Sequence, residues 1–222
     1  MREDDGMKTK RFAMTMCVLV LGIVLSVCVS KVSGESVSSE SVSGETEDGG
    51  ADLGGTKWQD MIFSMDGEVY QLPFAYSGIK DTWTFNLSDY GYDKGYVLNP
   101  GDKVVGTIQL KNNQYSKVRC TVGFMNTGEE VKDILDTDIW SFSMDISSAG
   151  QYPEVMLPEG ITWGSSEDDI IKAYGKPEEE PYVSAELGYT VYNWFDDFTY
   201  KMKLTVYKDG GLKGITLENY EN

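Results

Sequence analysis

From Trp58 onward, apolar and β-branched residues recur at every second position, and only one short helical pattern interrupts them. That period is the signature of half-buried strands. Met61-Ile62-Phe63-Ser64-Met65 runs to Asp66-Gly67, a hairpin turn signal, and Glu68-Val69-Tyr70-Gln71-Leu72 returns. Trp83, Phe85 and Leu87 alternate with Thr82, Thr84 and Asn86. Asn99-Pro100-Gly101-Asp102 has turn composition, and Val104, Gly106, Ile108 and Leu110 then share a face. Cys120 falls on the apolar face of the next strand, and Trp140, Phe142, Met144 and Ile146 alternate with Ile139, Ser141, Ser143 and Asp145. No long helical period separates these strands, so parallel βαβ units are not expected. Residues 57–155 read as an antiparallel, β-sandwich-like domain, bounded by Pro153 and Pro158.

Residues 156–222 follow a different grammar. Ser165 or Ser166 caps a helix with an acid three positions on, and Glu167, Asp168 and Asp169 suit its positive end. Ile170, Ile171, Ala173 and Tyr174 give the buried stripe, Gly175 the stop, and Pro177 prevents continuation. A helix of about nine residues is held by packing rather than propensity. Three strands follow. Leu187, Tyr189, Val191 and Phe195 share the apolar face of the first, and Asp196-Asp197 turns the chain. Phe198, Tyr200, Met202, Leu204 and Val206 line the second, and Asp209-Gly210-Gly211 leads to the third. The expectation is an αβββ domain: a short helix on a three-stranded antiparallel meander. The whole chain is therefore read as a β-rich α+β protein.

The first residues address a different question. Lys8-Thr9-Lys10-Arg11 precedes the apolar block 12–29, whose 18 residues include only Thr15 and Ser26 as clearly polar. Its length lies between a signal-peptide core and a spanning helix. Bases before the block and acids after it put the N-terminus inside and the rest outside. Residues 1–34 are read as a signal peptide or membrane anchor, with Met7 as the start that best fits the charge pattern. Residues 35–56 are rich in Ser, Gly and Glu and lack aromatics, the composition of a flexible linker. Leu25-Ser26-Val27-Cys28 resembles the lipobox of bacterial lipoproteins, with Val27 where that family carries Gly or Ala. Three outcomes stand side by side: lipidation at Cys28, cleavage after Ser30 or Gly34, and a retained anchor.

Charge and missing residue types narrow the chemistry. The chain carries 36 acids and 19 bases, a net charge of −17. Residues 1–28 hold three of the acids and four of the bases, which leaves 33 and 15 beyond them, a net −18. Such a body repels nucleic acid and anionic lipid, so membrane contact is expected only through the N-terminal segment. There is no histidine, which removes Ser-His-Asp and Cys-His catalysis in their usual form and the familiar zinc sites. Neither a phosphate-binding glycine signature nor an EF-hand loop is present, and no cofactor, metal or catalytic residue is assigned. Acidic pairs such as Asp168-Asp169 and Glu178-Glu179-Glu180 read as capping and solvation. Cys120 stands alone outside the apolar block and reads as a small core residue rather than a reactive thiol.

The aromatic content offers candidate contacts. Tyr90, Tyr92 and Tyr96 lie in the Gly-containing loop 89–97, which is otherwise polar. Trp194 is opposite the expected apolar face of its strand and reads as the exposed tryptophan, whereas Trp140 and Trp163 read as core.

Gly160-Ile161-Thr162-Trp163-Gly164-Ser165-Ser166, a helix, Tyr174-Gly175-Lys176-Pro177 and three strands together resemble a repeat of bacterial envelope proteins. The pattern is similar to the SmpA/OmlA outer-membrane assembly lipoproteins and to the β-lactamase inhibitor protein. With the export segment and β-rich middle, the chain resembles the uncharacterised secreted proteins and lipoproteins of Gram-positive anaerobic bacteria. The resemblance implies no catalytic residues; those relatives present a sheet or loop surface to a protein partner. The expected function is therefore an exported, non-enzymatic cell-envelope or secreted protein that binds a protein partner. A carbohydrate- or peptidoglycan-binding module and an inhibitor of an extracellular enzyme are the alternatives.

Overall fold

The computed structural model describes residues 53, 55–104 and 108–221. The residues read as a signal peptide or anchor, Cys28 and those read as a linker before Leu53 lie outside the described residues. The strands are, in chain order, β1 (Ile62–Met65), β2 (Glu68–Gln71), β3 (Phe74–Ala75), β4 (Val97–Leu98), β5 (Ile108–Leu110), β6 (Arg119–Met125), β7 (Lys132–Asp133), β8 (Asp138–Asp145), β9 (Val155–Leu157) and β10 (Ile161–Thr162). Helix α1 (Glu167–Tyr174) precedes β11 (Tyr182–Ser184), β12 (Tyr189–Asp196), β13 (Tyr200–Tyr207) and β14 (Gly211–Asn219). The protein is β-rich α+β, with antiparallel sheets and, among the described residues, one α-helix. That helix is not long and apolar enough to cross a membrane.

A large sheet has the order β11-β12-β13-β14-β8-β6-β5, with β3 also pairing β8, and a smaller one has the order β10-β9-β1-β2. Both sheets cross the position between residues 155 and 156 where the composition changes. In the large one β14 pairs β8, with Leu217 opposite Phe142. In the small one β9 pairs β1, with Met156 opposite Ser64. The sheets meet through stacked Phe63 and Phe142, whose ring centroids are 4.7 Å apart. Phe63, Phe124, Phe142, Ile170, Met202 and Leu204 belong to one buried cluster. Each fully buried side chain of this size contributes about 2 kcal/mol by leaving water. Cys120 lies in that cluster with no exposure, and burial drives its thiol pKa far up.

Local signals are realised at the turns and the helix. Asp66 and Gly67 join β1 to β2 with φ of 50° and 84°, as a tight two-residue hairpin requires. Ser166 is the serine that caps α1: its hydroxyl accepts from the Asp169 N–H at 3.2 Å, and its own N–H donates to the Asp169 carboxylate at 3.1 Å. Gly175 ends the helix at φ 75°.

Trp140 is only half-buried, contrary to its expected place in the core. The pairing of β6 with β8 slips between Gly123 and Phe124, so Gly123 faces Ser141 while Phe124 faces Ile139. The extra residue is Trp140. A bulge of this kind reverses the alternation, which turns Ile139 inward and Trp140 to the other face. The indole then covers Gly123, where an added Cβ would lie 2.7 Å from the ring nitrogen. Trp163 is half-buried and packs against the buried cluster, with its N–H donating to the Pro153 carbonyl at 2.8 Å.

Candidate functional site

Trp194 is buried, 5% exposed, and does not present a surface platform. The cause is the position of one turn. A turn at Asp196-Asp197 would pair Phe195 with Phe198 and bury the Tyr189–Val191–Phe195 face. The loop instead holds three residues, Asp197, Phe198 and Thr199, with the Thr199 N–H donating to the Asp196 carbonyl at 2.8 Å. Asp196 then pairs Tyr200, Trp194 pairs Met202, and Tyr192 pairs Leu204. Moving a register by an odd number of residues, here three, exchanges the two faces of a strand. The result places Tyr192 and Trp194 on the buried face with Met202 and Leu204, where they cover more apolar surface than Val191 and Phe195 would.

Helix α1 closes over these aromatics. The Trp194 indole N–H donates to the Gly175 carbonyl at 3.2 Å, and its ring meets Tyr174 edge-on at 5.9 Å. The Tyr174 hydroxyl donates to the Pro158 carbonyl at 2.6 Å. Burial, and secondarily the Glu159 carboxylate, raise the pKa of that hydroxyl. Burial and the Glu167 carboxylate do the same for Tyr192.

The residues displaced from the core form an exposed apolar edge. Phe195 is 45% exposed and Phe198 is 91% exposed. Tyr182, Val183 and Leu187, on or beside β11, are exposed as well. β11 has three residues and pairs only Tyr189, Thr190 and Val191, so the second half of β12 has no strand on that edge among the described residues. An open groove of about 330 Å³ lies there, lined by Lys176, Glu178, Glu179, Asn193, Trp194, Phe195 and Phe198. A second groove of about 800 Å³ lies at the other end of the strands, bordered by Glu167, Val183, Thr190, Val206 and Lys208. Across β11, β12 and β13 a row of rings runs from Tyr182 through Tyr189 to Tyr207, at centroid separations of 6.5 and 5.4 Å. The Lys213 ammonium ends the row, 5.1 Å from the Tyr207 ring.

Phe198 sits in the left-handed region at φ 61°, next to Asp197 at φ 43°. A bulky residue there costs on the order of 1 kcal/mol, and its side chain recovers little through packing. Sequence reasoning placed both Phe195 and Phe198 on a buried strand face. The available signal was the size of Tyr192 and Trp194 relative to their neighbours, which favours burying that pair.

The tyrosines of loop 89–97 divide into two groups. Tyr90 is half-buried, and its hydroxyl accepts from the Gln109 N–H at 2.7 Å and donates to the Gln109 carbonyl at 3.3 Å, which fixes the loop to β5. Tyr92 is half-buried and packs on Tyr96 at 4.4 Å, and Tyr96 is 39% exposed. The structure thus brings Tyr92 and Tyr96 together as a small aromatic surface and assigns Tyr90 to holding the loop.

Among the described residues, no three His, Cys, Asp or Glu side chains gather as metal ligands. Asp133 instead caps a short turn by accepting from the Leu135 N–H at 2.9 Å, and Asp138 accepts from the Thr127 hydroxyl. Comparison with known proteins finds no matching family, no matching curated protein and no matching solved structure.

Proposed function

We propose that the protein is an exported, non-enzymatic component of the cell envelope or the extracellular space that binds a protein partner through its β-rich surface. The observation that carries this reading is the concentration of exposed apolar side chains around β11 and β12: Tyr182, Val183, Leu187, Phe195 and Phe198. Exposed apolar side chains concentrated on one part of a surface mark interaction sites in soluble proteins. The basic-then-apolar N-terminus and the Ser/Gly/Glu tract support export and display of the folded part away from a membrane. The likeness of the 156–222 segment to the SmpA/OmlA lipoproteins and the β-lactamase inhibitor protein supports partner binding by a sheet surface. In this reading a β-sandwich-like segment through residue 155 supports the αβββ segment that follows, and the second supplies the contact surface.

A glycan-binding reading is favoured by one feature, the packed and partly exposed Tyr92–Tyr96 pair. The two readings separate in one experiment. The full chain is cross-linked in its native envelope with an amine-reactive reagent, and the linked lysines are mapped by mass spectrometry. The protein-binding reading predicts adducts at Lys176, Lys201, Lys203 or Lys208, near the C-terminal strands. Adducts distributed evenly over Lys80, Lys94, Lys111 and Lys117 as well, or none to any protein, would count against it.

A further inference from the structure

We infer that the open half of the β12 edge receives an extended, basic segment of a partner protein by strand addition. The inference rests on the protein-binding reading above and specifies its partner.

Three independent features meet at this place. The first is the backbone. β11 stops short, so the Asn193–Phe195 stretch of β12 borders a groove instead of a neighbouring strand. Strand edges present unpaired N–H and C=O groups, and proteins normally cover or charge them. A groove with a strand edge as its wall is the geometry by which peptides extend a sheet. The second is apolar surface. Phe195 and Phe198 flank the groove, and Phe198 projects from a left-handed turn with almost no contact of its own. Conformational strain kept on an exposed aromatic ring points to a use for that ring. The third is charge. Glu178 and Glu179 line the groove with Lys176 as the one cation of its lining, Glu180 follows them in sequence, and Asp196 and Asp197 lie between Phe195 and Phe198. Nearby, Lys201 is already engaged, 3.2 Å from Glu218 and 5.8 Å from the Phe195 ring centroid.

These features choose the occupant. A second copy of the chain would set the same acids against each other, within a protein of net charge −17. The two glutamates outnumber Lys176 in the lining, and an acidic segment would add to that excess. A segment with Lys or Arg alternating with apolar residues satisfies all three features. Its backbone pairs β12, its apolar side chains cover Phe195 and Phe198, and its cations meet the glutamates. Alternation fits because successive side chains of a strand point to opposite faces.

The test is a fluorescence-anisotropy titration of the full chain with labelled peptides. The probes are a Lys-Val alternating hexapeptide, its Glu-Val counterpart, and the Lys-Val peptide with alternate amides N-methylated. Saturable binding of the first peptide is expected, with at least about tenfold weaker binding of the other two. The variant Glu178→Lys/Glu179→Lys, both exposed positions, should weaken the Lys-Val peptide by a similar factor, as should Phe198→Ser. Equal binding of the N-methylated peptide would overturn strand addition, because that peptide keeps the charge but loses N–H donors. Undiminished binding to the charge-reversed variant would overturn the assignment of this groove, and absence of saturation by about 1 mM would overturn the inference as a whole. Either of the last two results, with a native partner still cross-linked at Lys201 or Lys203, would remove the groove and leave the protein-binding reading standing. Loss of that cross-link would remove both.

Discussion

Replacing Gly211 with alanine tests how the helical segment is tied to the sheet. Gly211 opens β14 at φ 66°, against the turn that precedes α1. The Gly164 N–H donates to the Leu212 carbonyl at 2.9 Å, and the Leu212 N–H donates to the Ser165 carbonyl at 2.9 Å. A Cβ on residue 211 would lie 2.2 Å from the Gly164 oxygen and 2.6 Å from the Ser165 oxygen, both backbone atoms. Relief requires the two backbones to part by about 1 Å, which breaks or lengthens both hydrogen bonds. The left-handed φ costs an alanine about 1–2 kcal/mol, and overpacking adds about 1–3 kcal/mol. The expected loss is therefore about 3 kcal/mol. Gly188→Ala is the control, because Gly188 has nearly the same φ, 67°, but nothing within 4 Å of an added Cβ. It should lose only about 1 kcal/mol. The assay is urea unfolding followed by tryptophan fluorescence, with a slope of about 2 kcal/mol per molar separating the two midpoints by about 1 M. Equal midpoints for the two variants would refute the reasoning, since only the close approach distinguishes them.

Phe198→Gly should raise stability by about 0.5–1 kcal/mol, the left-handed cost less glycine's larger chain entropy, while weakening binding of a basic extended peptide; urea unfolding and anisotropy on the same sample check both. Alkaline unfolding should reflect Tyr76, whose hydroxyl donates to the Trp83 carbonyl at 2.9 Å and is pushed up by burial to about 12. Because the folded pKa is above the ordinary value of 10.0, its contribution is fully present below pH 10 and is lost as pH rises through about 12. Tyr76→Phe should flatten the decline in that window, as measured by urea midpoints from pH 9 upward. Cys120, fully buried with a raised thiol pKa, should resist a thiol reagent at pH 8 in the folded protein and react once it is unfolded in urea.

Local chemistry in the sequence corresponds closely to the structure wherever a few adjacent residues decide the outcome. Asp66-Gly67 signals its hairpin, Ser166 with Asp169 signals the start of α1, and Gly175 with Pro177 signals its end. Period two likewise reveals most of the antiparallel strands, but the Trp83, Phe85 and Leu87 alternation forms none, and Leu87 instead opens a short 3-10 turn. Misreadings arise where an odd offset in register matters. β8 carries a bulge at Trp140 because Gly123 on the neighbouring strand leaves room for an indole, and nothing within β8 itself announces that. In β12 both faces are aromatic, so period two permits either one to be buried. The turn residues decide, and Asp196-Asp197 looks like the better turn than Asp197-Phe198-Thr199 by composition alone. Burial of Tyr192 and Trp194 beneath α1 outweighs the cost of a left-handed Phe198. The groove follows from the same choice. It depends on β11 pairing only three residues of β12, a matter of tertiary geometry that no local pattern encodes.

The claim that the β11–β12 edge is the partner-binding surface is tested most directly by site-specific photo-cross-linking. A photoreactive residue is placed at position 195 of the full chain in cells, and separately at position 68, exposed beside the tip of the β1–β2 hairpin. The account predicts a discrete protein adduct from position 195, abolished by Glu178→Lys/Glu179→Lys, and no adduct from position 68. Adducts from position 68 alone, or the same adducts from both positions irrespective of the charge reversal, would contradict it.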